Sequence, residues 1–121
     1  MLILAQYRWE GSDVLTPGRH TIGFEYTYDG PGIAKGGSGV LKVDDKVVAT
    51  GKQANSISFL QVADETFDVG IDTRTGVNDK DYRVPFAFDG KIHKLTVNLG
   101  PMQLTAAEEG KVRAAAARAN D

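Results

Sequence analysis

A glycine-rich stretch in the first half of the chain has the composition of a phosphate-binding loop. It runs from Tyr28 to Gly51 and reads YDGPGIAKGGSGVLKVDDKVVATG. A phosphate loop lies between a strand and a helix, so that backbone amides and the helix N-terminus face the anion. Here Lys35 precedes Gly36 and Gly37 instead of following the last glycine, and a strand pattern comes next. The spacing of a dinucleotide-binding loop is missed as well, so the sequence does not predict nucleotide binding.

We interpret Gly30 to Gly39 as a shaped connection between two strands, because glycine adopts positive φ without steric cost. Loops carry function more often than strands do, so this loop is also a candidate surface for a ligand or partner. Within this loop, Lys35 is the residue whose side chain could contact an anionic group such as a sulfate. The candidate residues of this loop are Asp29, Gly30, Lys35, Gly36 and Gly37.

Carboxylates are dense in the second half of the chain. Calcium takes six to eight oxygen ligands, and the weak candidates for such ligands are Asp64, Glu65, Asp68 and Asp72. The spacing of an EF-hand loop is absent, and a strand over Thr66–Ile71 would place Asp68 and Asp72 on a solvated face. We therefore expect no cofactor, with calcium as the weaker alternative. Further candidate ligand or partner residues follow in the next loop: Asp72, Asp79, Asp81 and Tyr82.

Other catalytic chemistry finds little support in the residue types. The chain has no cysteine, which excludes disulfides, thiolate metal sites and cysteine nucleophiles. Its two histidines, His20 and His93, are not spaced as a zinc pair, and no G-x-S-x-G elbow occurs. We expect His93 to be hydrogen-bonded and partly buried on a strand face. No catalytic residue and no firm metal ligand is predicted.

Composition indicates one ordinary globular domain. The 121 residues are 41% hydrophobic and 25% charged, and the formal net charge is -2. That charge gives no reason to expect nucleic acid or an anionic membrane as partner. Met1–Ala5 is apolar but too short, and lacks the basic flank, for a signal peptide or a membrane span. The compartment is left undetermined.

Period-two patterns indicate the strands that would position the candidate residues. The predicted strands are Leu2–Trp9, His20–Tyr28, Val40–Val43, Val47–Thr50, Ser56–Val62, Thr66–Ile71, Arg83–Phe88 and Lys91–Leu99. The clearest alternation is His20–Tyr28, where every second residue is apolar. Asp44-Asp45-Lys46 and Asp89-Gly90 each predict a hairpin. Pro85 cannot donate to a ladder, so its strand is expected at an edge or to begin there.

About eight short strands separated by turns predict an all-β antiparallel sandwich of jelly-roll or lectin-like type. The C-terminus differs, because Thr105-Ala-Ala-Glu108 is a capping box and Ala and Arg follow it. A short helix over Ala106–Ala119 is predicted, with Val112 as its only large apolar residue. We therefore divide the chain into a sandwich module, 1–104, and a helical tail, 105–121.

Several motifs match one family in order and spacing. They are Pro17-Gly18-Arg19-His20, Phe24-Glu25-Tyr26, Tyr28-Asp29-Gly30, Lys35-Gly36-Gly37, Leu41-Lys42-Val43-Asp44, the run from Asp64 to Asp72, Tyr82, and Pro85-Phe86. Over residues 7–104 the chain resembles the C-terminal β-rich region of bacterial arylsulfatases. Members of that family hydrolyse sulfate esters in a separate catalytic domain, with a formylglycine made from a C/S-x-P-x-R motif and a calcium ion beside it.

The resemblance implies a module without catalytic residues. No serine is followed two positions later by proline, so the formylglycine motif is absent from this chain. What the resemblance implies is an accessory module that packs on a sulfatase catalytic domain or shapes substrate access with its loops. Gly30–Gly39 and Asp72–Tyr82 are the loops expected to do so. Whether the chain is a separate gene product or a fragment is left open.

Two other functions stay open from the residues. A stand-alone carbohydrate-binding module would use aromatic rings near loops to stack on sugars, with Trp9, Tyr28 and Tyr82 as candidates. The sandwich fold expected here is common among sugar-binding modules, although fold alone says little about function. The third possibility is self-association through the surface that a catalytic domain would otherwise cover.

Overall fold

The computed structural model describes residues 5–56, 68–74 and 76–119. They form two antiparallel sheets and one C-terminal helix, so the prediction of a β-rich fold that ends in a short helix is confirmed. The chain divides into two compact units. The first comprises Met1–Ser58 together with Met102–Asp121, and the second comprises Phe59–Pro101.

The elements follow one another in a simple order. They are β1 (Ile22–Tyr28), β2 (Gly37–Val43), β3 (Lys46–Gln53), β4 (Ile71–Asp72), β5 (Phe86–Ala87) and α1 (Ala106–Ala119). The first unit holds the sheet β1-β2-β3, in which both neighbouring pairs are antiparallel. Because each strand is followed by its neighbour, this sheet is a meander built from local connections.

The tight turn between β2 and β3 has the backbone that its residues favour. Asp44 and Asp45 have φ values of 50° and 66°, as a two-residue type I′ turn requires, and aspartate tolerates this region better than most residues. The predicted hairpin is therefore present, with Lys46 already in β3. The ladder shifts after Leu41, which leaves Val48 as the extra residue of a bulge.

The second unit is where the strand predictions are wrong. β5 pairs with β4, with Asp72 opposite Phe86, and the Phe88 amide donates to the Gly70 carbonyl at 2.8 Å. No hairpin forms across Asp89-Gly90, and residues 91–100 are exposed and outside any strand. β5 pairs with β4, which lies earlier in the chain, and residues 91–99 pair with none of the described strands. His93 is accordingly exposed, not partly buried on a strand face.

The remaining predicted strands are described only in part. Residues 5–9, at the end of the predicted Leu2–Trp9 strand, are not in a strand, and Ser56 is not either. Residues 57–62, 66 and 67 lie outside the described residues. The strand predicted over Arg83–Phe88 shortens to Phe86–Ala87, which begins directly after Pro85 as the missing proline N–H requires.

Among the residues that the structure describes, glycine occupies the buried positions. No hydrophobic side chain among the described residues is buried. The described residues that are buried are Gly32, Gly36, Gly37 and Gly39. The described part of the chain also contains no helix of the length and apolar character needed to cross a bilayer. Burial in the described residues is thus confined to glycine, and the apolar side chains are partly buried or exposed.

Candidate functional site

One face of the sheet β1-β2-β3 gathers aromatic residues from β1. Ile22, Phe24, Tyr26 and Tyr28 alternate along the strand and share this face. Opposite them in the ladder, Tyr26 meets Gly39 and Tyr28 meets Gly37. We call this side of the sheet the aromatic face. The other face is polar, and across it the Lys42 ammonium lies 2.6 Å from the Glu25 carboxylate.

Glycines in β2 and β3 form a flat surface on which Trp9 lies. The indole Nε1 donates to the Gly39 carbonyl at 3.0 Å, and the Trp9 ring meets Phe24 edge-on, with centroids 5.1 Å apart. A Cβ placed on Gly39 would come within 2.7 Å of Trp9, and one on Gly51 within 2.8 Å. Glycine is therefore required at both positions for the ring to approach the backbone.

The aromatic face is only partly covered by this arrangement. Phe24 is 51% exposed, Tyr26 is 39% exposed and Ile22 is 61% exposed. The Phe24 and Tyr26 rings stack with centroids 6.4 Å apart and an angle of 25° between their planes. Phe24 and Tyr26 thus form an exposed aromatic ridge on this face.

The glycine loop between β1 and β2 is held by its own polar groups. The Tyr28 hydroxyl donates to the Gly32 carbonyl and accepts the Lys35 amide at 2.9 Å. The Asp29 amide donates to the Gly36 carbonyl at 3.0 Å, which closes the base of the loop. The Tyr28 hydroxyl is thus bonded within the loop, and its side chain is partly buried.

The start of helix α1 fixes the same loop from the other side. Glu108 Oε2 accepts the Thr105 amide and hydroxyl, each at 2.8 Å, and Oε1 accepts the Ile33 amide at 3.0 Å. The Thr105 hydroxyl accepts the Glu108 amide at 3.3 Å, so the predicted capping box forms. Hydrogen bonds from Thr105 and then from Ile33 hold the pKa of Glu108 below its usual value.

The geometry of this loop does not suit a phosphate. No helix begins after Gly39, because β2 runs on to Val43, and the amides of Ile33 and Lys35 already have acceptors. Lys35 itself is exposed, and its side chain passes over Gly32. Gly30 is equally constrained, since a Cβ there would lie 2.6 Å from the Tyr28 ring.

In the second unit, Asp72 and Tyr82 organise the acidic loop. The Tyr82 hydroxyl donates to Asp72 Oδ2 at 2.5 Å and accepts the Val77 amide at 2.9 Å. The bond to Asp72 raises the pKa of Tyr82 above its usual value. The Tyr82 ring also contacts Phe86, with centroids 5.2 Å apart. Tyr82 is therefore a scaffold of this loop, and it lies in a different unit from Trp9 and Tyr28.

The carboxylates of Asp79 and Asp81 contact other groups of the same loop. Asp81 Oδ2 accepts the Asn78 side-chain amide at 2.9 Å, and Asp79 lies beside Gly76. Among the described residues, no three side chains of the types that bind metals cluster together. Of the weak calcium candidates, Asp64 and Glu65 lie outside the described residues, so the set of four is not described as a whole.

At the turn end of the first sheet, His20 and Asp44 form a pair that was not predicted from the sequence. His20 Nδ1 lies 2.7 Å from Asp44 Oδ2, and Asp44 Oδ1 accepts the Thr21 amide at 2.9 Å. Because Ile22 pairs with Val43, the antiparallel register carries His20 and Asp44 to the same end of the sheet. A predicted hairpin combined with that register was the signal that could have found this pair.

A groove of about 600 Å³ opens beside this pair in the first unit. One wall is the segment Gly11–Thr16, which we call the strap, and the other is aliphatic sheet surface from Ile22, Leu41 and Val43. His20 and Asp44 lie at the groove, as do Asp13 and Lys46. The groove therefore joins an apolar wall to a charged rim.

No family model matches the chain, and no curated protein and no solved structure matches it either.

Proposed function

We propose that this chain is a non-catalytic accessory module, a sandwich of jelly-roll or lectin-like type, whose aromatic face packs on a catalytic domain of the arylsulfatase kind. The observation that carries the proposal is the exposure of Ile22, Phe24 and Tyr26 along one strand of the first sheet. Side chains of this size and exposure leave apolar area that a partner surface can remove from water.

The sequence motifs supply the kind of partner. The series from Pro17 to Phe86 resembles the region that follows the catalytic domain in bacterial arylsulfatases. The loops Gly30–Gly39 and Asp72–Tyr82 are fixed by internal hydrogen bonds, which suits the shaping of substrate access.

A binding measurement with matched surface variants tests this proposal. The probe is a bacterial arylsulfatase catalytic domain expressed without its own C-terminal region, titrated by calorimetry. Ile22→Lys places a charge on the aromatic face and should weaken the Kd about tenfold or more, since central apolar residues carry most interface energy. Thr27→Lys adds the same charge to the opposite face and should leave the Kd unchanged.

Two outcomes would contradict the proposal. The wild-type chain could fail to bind the catalytic domain, or both lysine variants could weaken binding equally. Independently, the purified chain should not hydrolyse an aryl sulfate such as p-nitrophenyl sulfate. Clear turnover of that ester by the chain alone would overturn the non-catalytic assignment.

A second candidate function rests on the stacked pair Phe24 and Tyr26. Two exposed, nearly parallel rings on a sheet can stack against the apolar faces of sugar units, as in a stand-alone carbohydrate-binding module. An array of neutral and sulfated glycans tests it, with Tyr26→Ala expected to lose any signal. Binding by the wild-type chain, lost in that variant, would favour the sugar over the protein partner.

A further inference from the structure

The ring of His20 has a hydrogen-bond acceptor at each nitrogen. Nδ1 lies 2.7 Å from the carboxylate of Asp44, and Nε2 lies 2.6 Å from the carbonyl oxygen of Thr16. The Thr16 hydroxyl is farther from Nε2, at 3.4 Å. Carboxylate and carbonyl oxygens only accept, and a neutral imidazole has a single N–H. Both short bonds exist together only when the ring carries two protons.

The two acceptors belong to different parts of the first unit. Asp44 lies in the β2–β3 turn, where its other oxygen accepts the Thr21 amide and its own amide donates to the Thr21 carbonyl at 2.8 Å. Thr16 ends the strap, whose other end places Gly11 against Val48 of β3. His20 therefore connects the strap to a fixed point of the sheet.

We propose that His20 is a proton-controlled latch, which closes the strap over the groove when the imidazole is protonated and releases it when the imidazole is neutral. Loss of one proton removes one of the two bonds. The bond to Asp44 is the charge-assisted one and has a carboxylate fixed by Thr21, so the bond to the Thr16 carbonyl is the one that breaks.

The direction of the pH dependence follows from the groups around the ring. The bond to Asp44, and then the bond to Thr16, raise the pKa of His20 above its usual 6.5. The latch is therefore fully closed below about 6.5 and opens as the pH rises through the raised value. The Thr21 amide is the main group that lowers the pKa of Asp44 from 3.8. The latch therefore also weakens in strong acid, as the pH falls through this lowered pKa.

Other charges near the latch do not reverse this direction. Asp13 and Lys46 line the groove with opposite signs, and Arg19 and Asp45 flank His20 and Asp44 in the sequence, also with opposite signs. The carboxylate of Asp44 is the charged group in hydrogen-bond contact with the ring. The His20 side chain is only 19% exposed, so salt should screen this contact less than it screens a fully exposed pair.

The absence of cysteine makes a direct test simple. A nitroxide attached at Ser12→Cys on the strap broadens the NMR signals of nearby amides, here those of Ile22 and Val43 on the sheet. In the full chain this broadening should be strong at pH 5 and should decline as the pH rises, with the same midpoint as the His20 imidazole signals. Both the imidazole and the strap report one proton-linked closure, so the change in the closure constant should match the pKa shift of His20.

Variants separate the latch from general effects of pH. The glutamine side chain of His20→Gln has one nitrogen and does not titrate, so it cannot bond to Asp44 and Thr16 as the protonated ring does. The broadening of the Ile22 and Val43 signals in this variant should be weaker than in the wild type at pH 5 and independent of pH. His93→Gln removes the other histidine and should behave as the wild type. The proposal is overturned if His20 titrates at or below about 6.5, or if the broadening ignores pH, or if His20→Gln keeps the wild-type dependence. The titration of the wild-type chain decides even if the glutamine variant does not fold.

Discussion

At the residue scale, the aromatic face depends on glycines, because their lack of a side chain lets a ring approach the backbone. Trp9 can lie on β2 and β3 only because Gly39 and Gly51 present bare backbone to it. Gly36 is more restricted still, since a Cβ there would come within 2.5 Å of the Ala54 carbonyl oxygen. A ring can rotate away from a new methyl group, whereas a backbone carbonyl can move only with its chain. The two kinds of contact predict different costs for the same substitution.

Alanine substitutions measure that difference. Gly39→Ala should destabilise the chain by about 1–3 kcal/mol, as overpacking does, and Gly36→Ala should cost more. Gly23→Ala is the control, because its Cβ would meet Lys42 at an ordinary 3.9 Å and alanine suits a strand about 0.5 kcal/mol better than glycine. Urea unfolding followed by the fluorescence of Trp9, the single tryptophan, gives all three values. Equal stability of the three variants would contradict the glycine requirement.

At the scale of elements, the helix is attached to the rest of its unit through its first turn. No described strand lies against α1, and Glu108 both caps the helix and accepts the Ile33 amide of the glycine loop. The loop and the helix start therefore share one carboxylate. The weak packing predicted for this Ala-rich helix agrees with that arrangement, because Val112 is its one large apolar residue.

Removing that carboxylate should loosen both elements together. Glu108→Ala should lower the helical circular dichroism signal and speed hydrogen exchange of the Ile33 amide. Glu109→Ala is the matched control, since the Glu109 carboxylate only reaches Arg113 at 4.0 Å on the surface. The wild-type chain should lose the same protection as the pH falls through the lowered pKa of Glu108, while it is fully present above about 4.5. A faster exchange at Ile33 in the control variant would contradict this assignment.

Local elements were predictable from the sequence, and distant pairings were not. The alternation of β1, the turn at Asp44-Asp45 and the capping box at Thr105 are each contained within a few residues, and all three predictions are confirmed. The pairing of β4 with β5 joins residues from separate parts of the chain, so the stronger local signal at Asp89-Gly90 gave the wrong hairpin. His20 was predicted as the first residue of a strand, but β1 begins at Ile22, and the contacts of the His20 ring follow from the register of β1 on β2.

The candidate residues that the sequence did indicate have contacts that the sequence does not predict. Tyr28 and Tyr82 look like free aromatic rings in the sequence, yet each hydroxyl bonds within its own loop. Trp9 was predicted near a loop and lies instead on glycine backbone within a sheet face. Phe24 and Tyr26, which the sequence assigned to a sheet face without a function, are exposed on the aromatic face beside Ile22.

At the scale of the whole molecule, many large apolar side chains of the described residues are exposed to solvent. Among the described residues no hydrophobic side chain is buried, while Ile22, Phe24 and Val47 are each about half exposed or more. Burial of apolar area is the main favourable term in folding, and in the described residues it comes from side chains that are only partly buried, such as Trp9 and Leu41. The same exposed area is available for association with a partner or with a second copy.

An apolar dye measures how much of this surface is open. The folded chain at pH 7 should enhance the fluorescence of ANS, which binds exposed hydrophobic surface. Ile22→Lys should reduce the enhancement, and Thr27→Lys on the polar face should not. Sedimentation at increasing concentration then separates self-association from a monomer with an open face. A monomer that leaves ANS fluorescence unchanged would contradict the exposed surface described here.

The burial of glycine has a consequence for how this chain tolerates mutation. Any amino acid that replaces glycine adds at least a Cβ. No substitution at Gly36, Gly37 or Gly39 can therefore have a smaller side chain than the original residue. In most domains the positions most sensitive to mutation hold large aliphatic residues, and one aliphatic residue can often replace another there. A randomly mutated library selected for folded chains should therefore retain glycine at these three positions more strictly than it retains Ile22 or Val47.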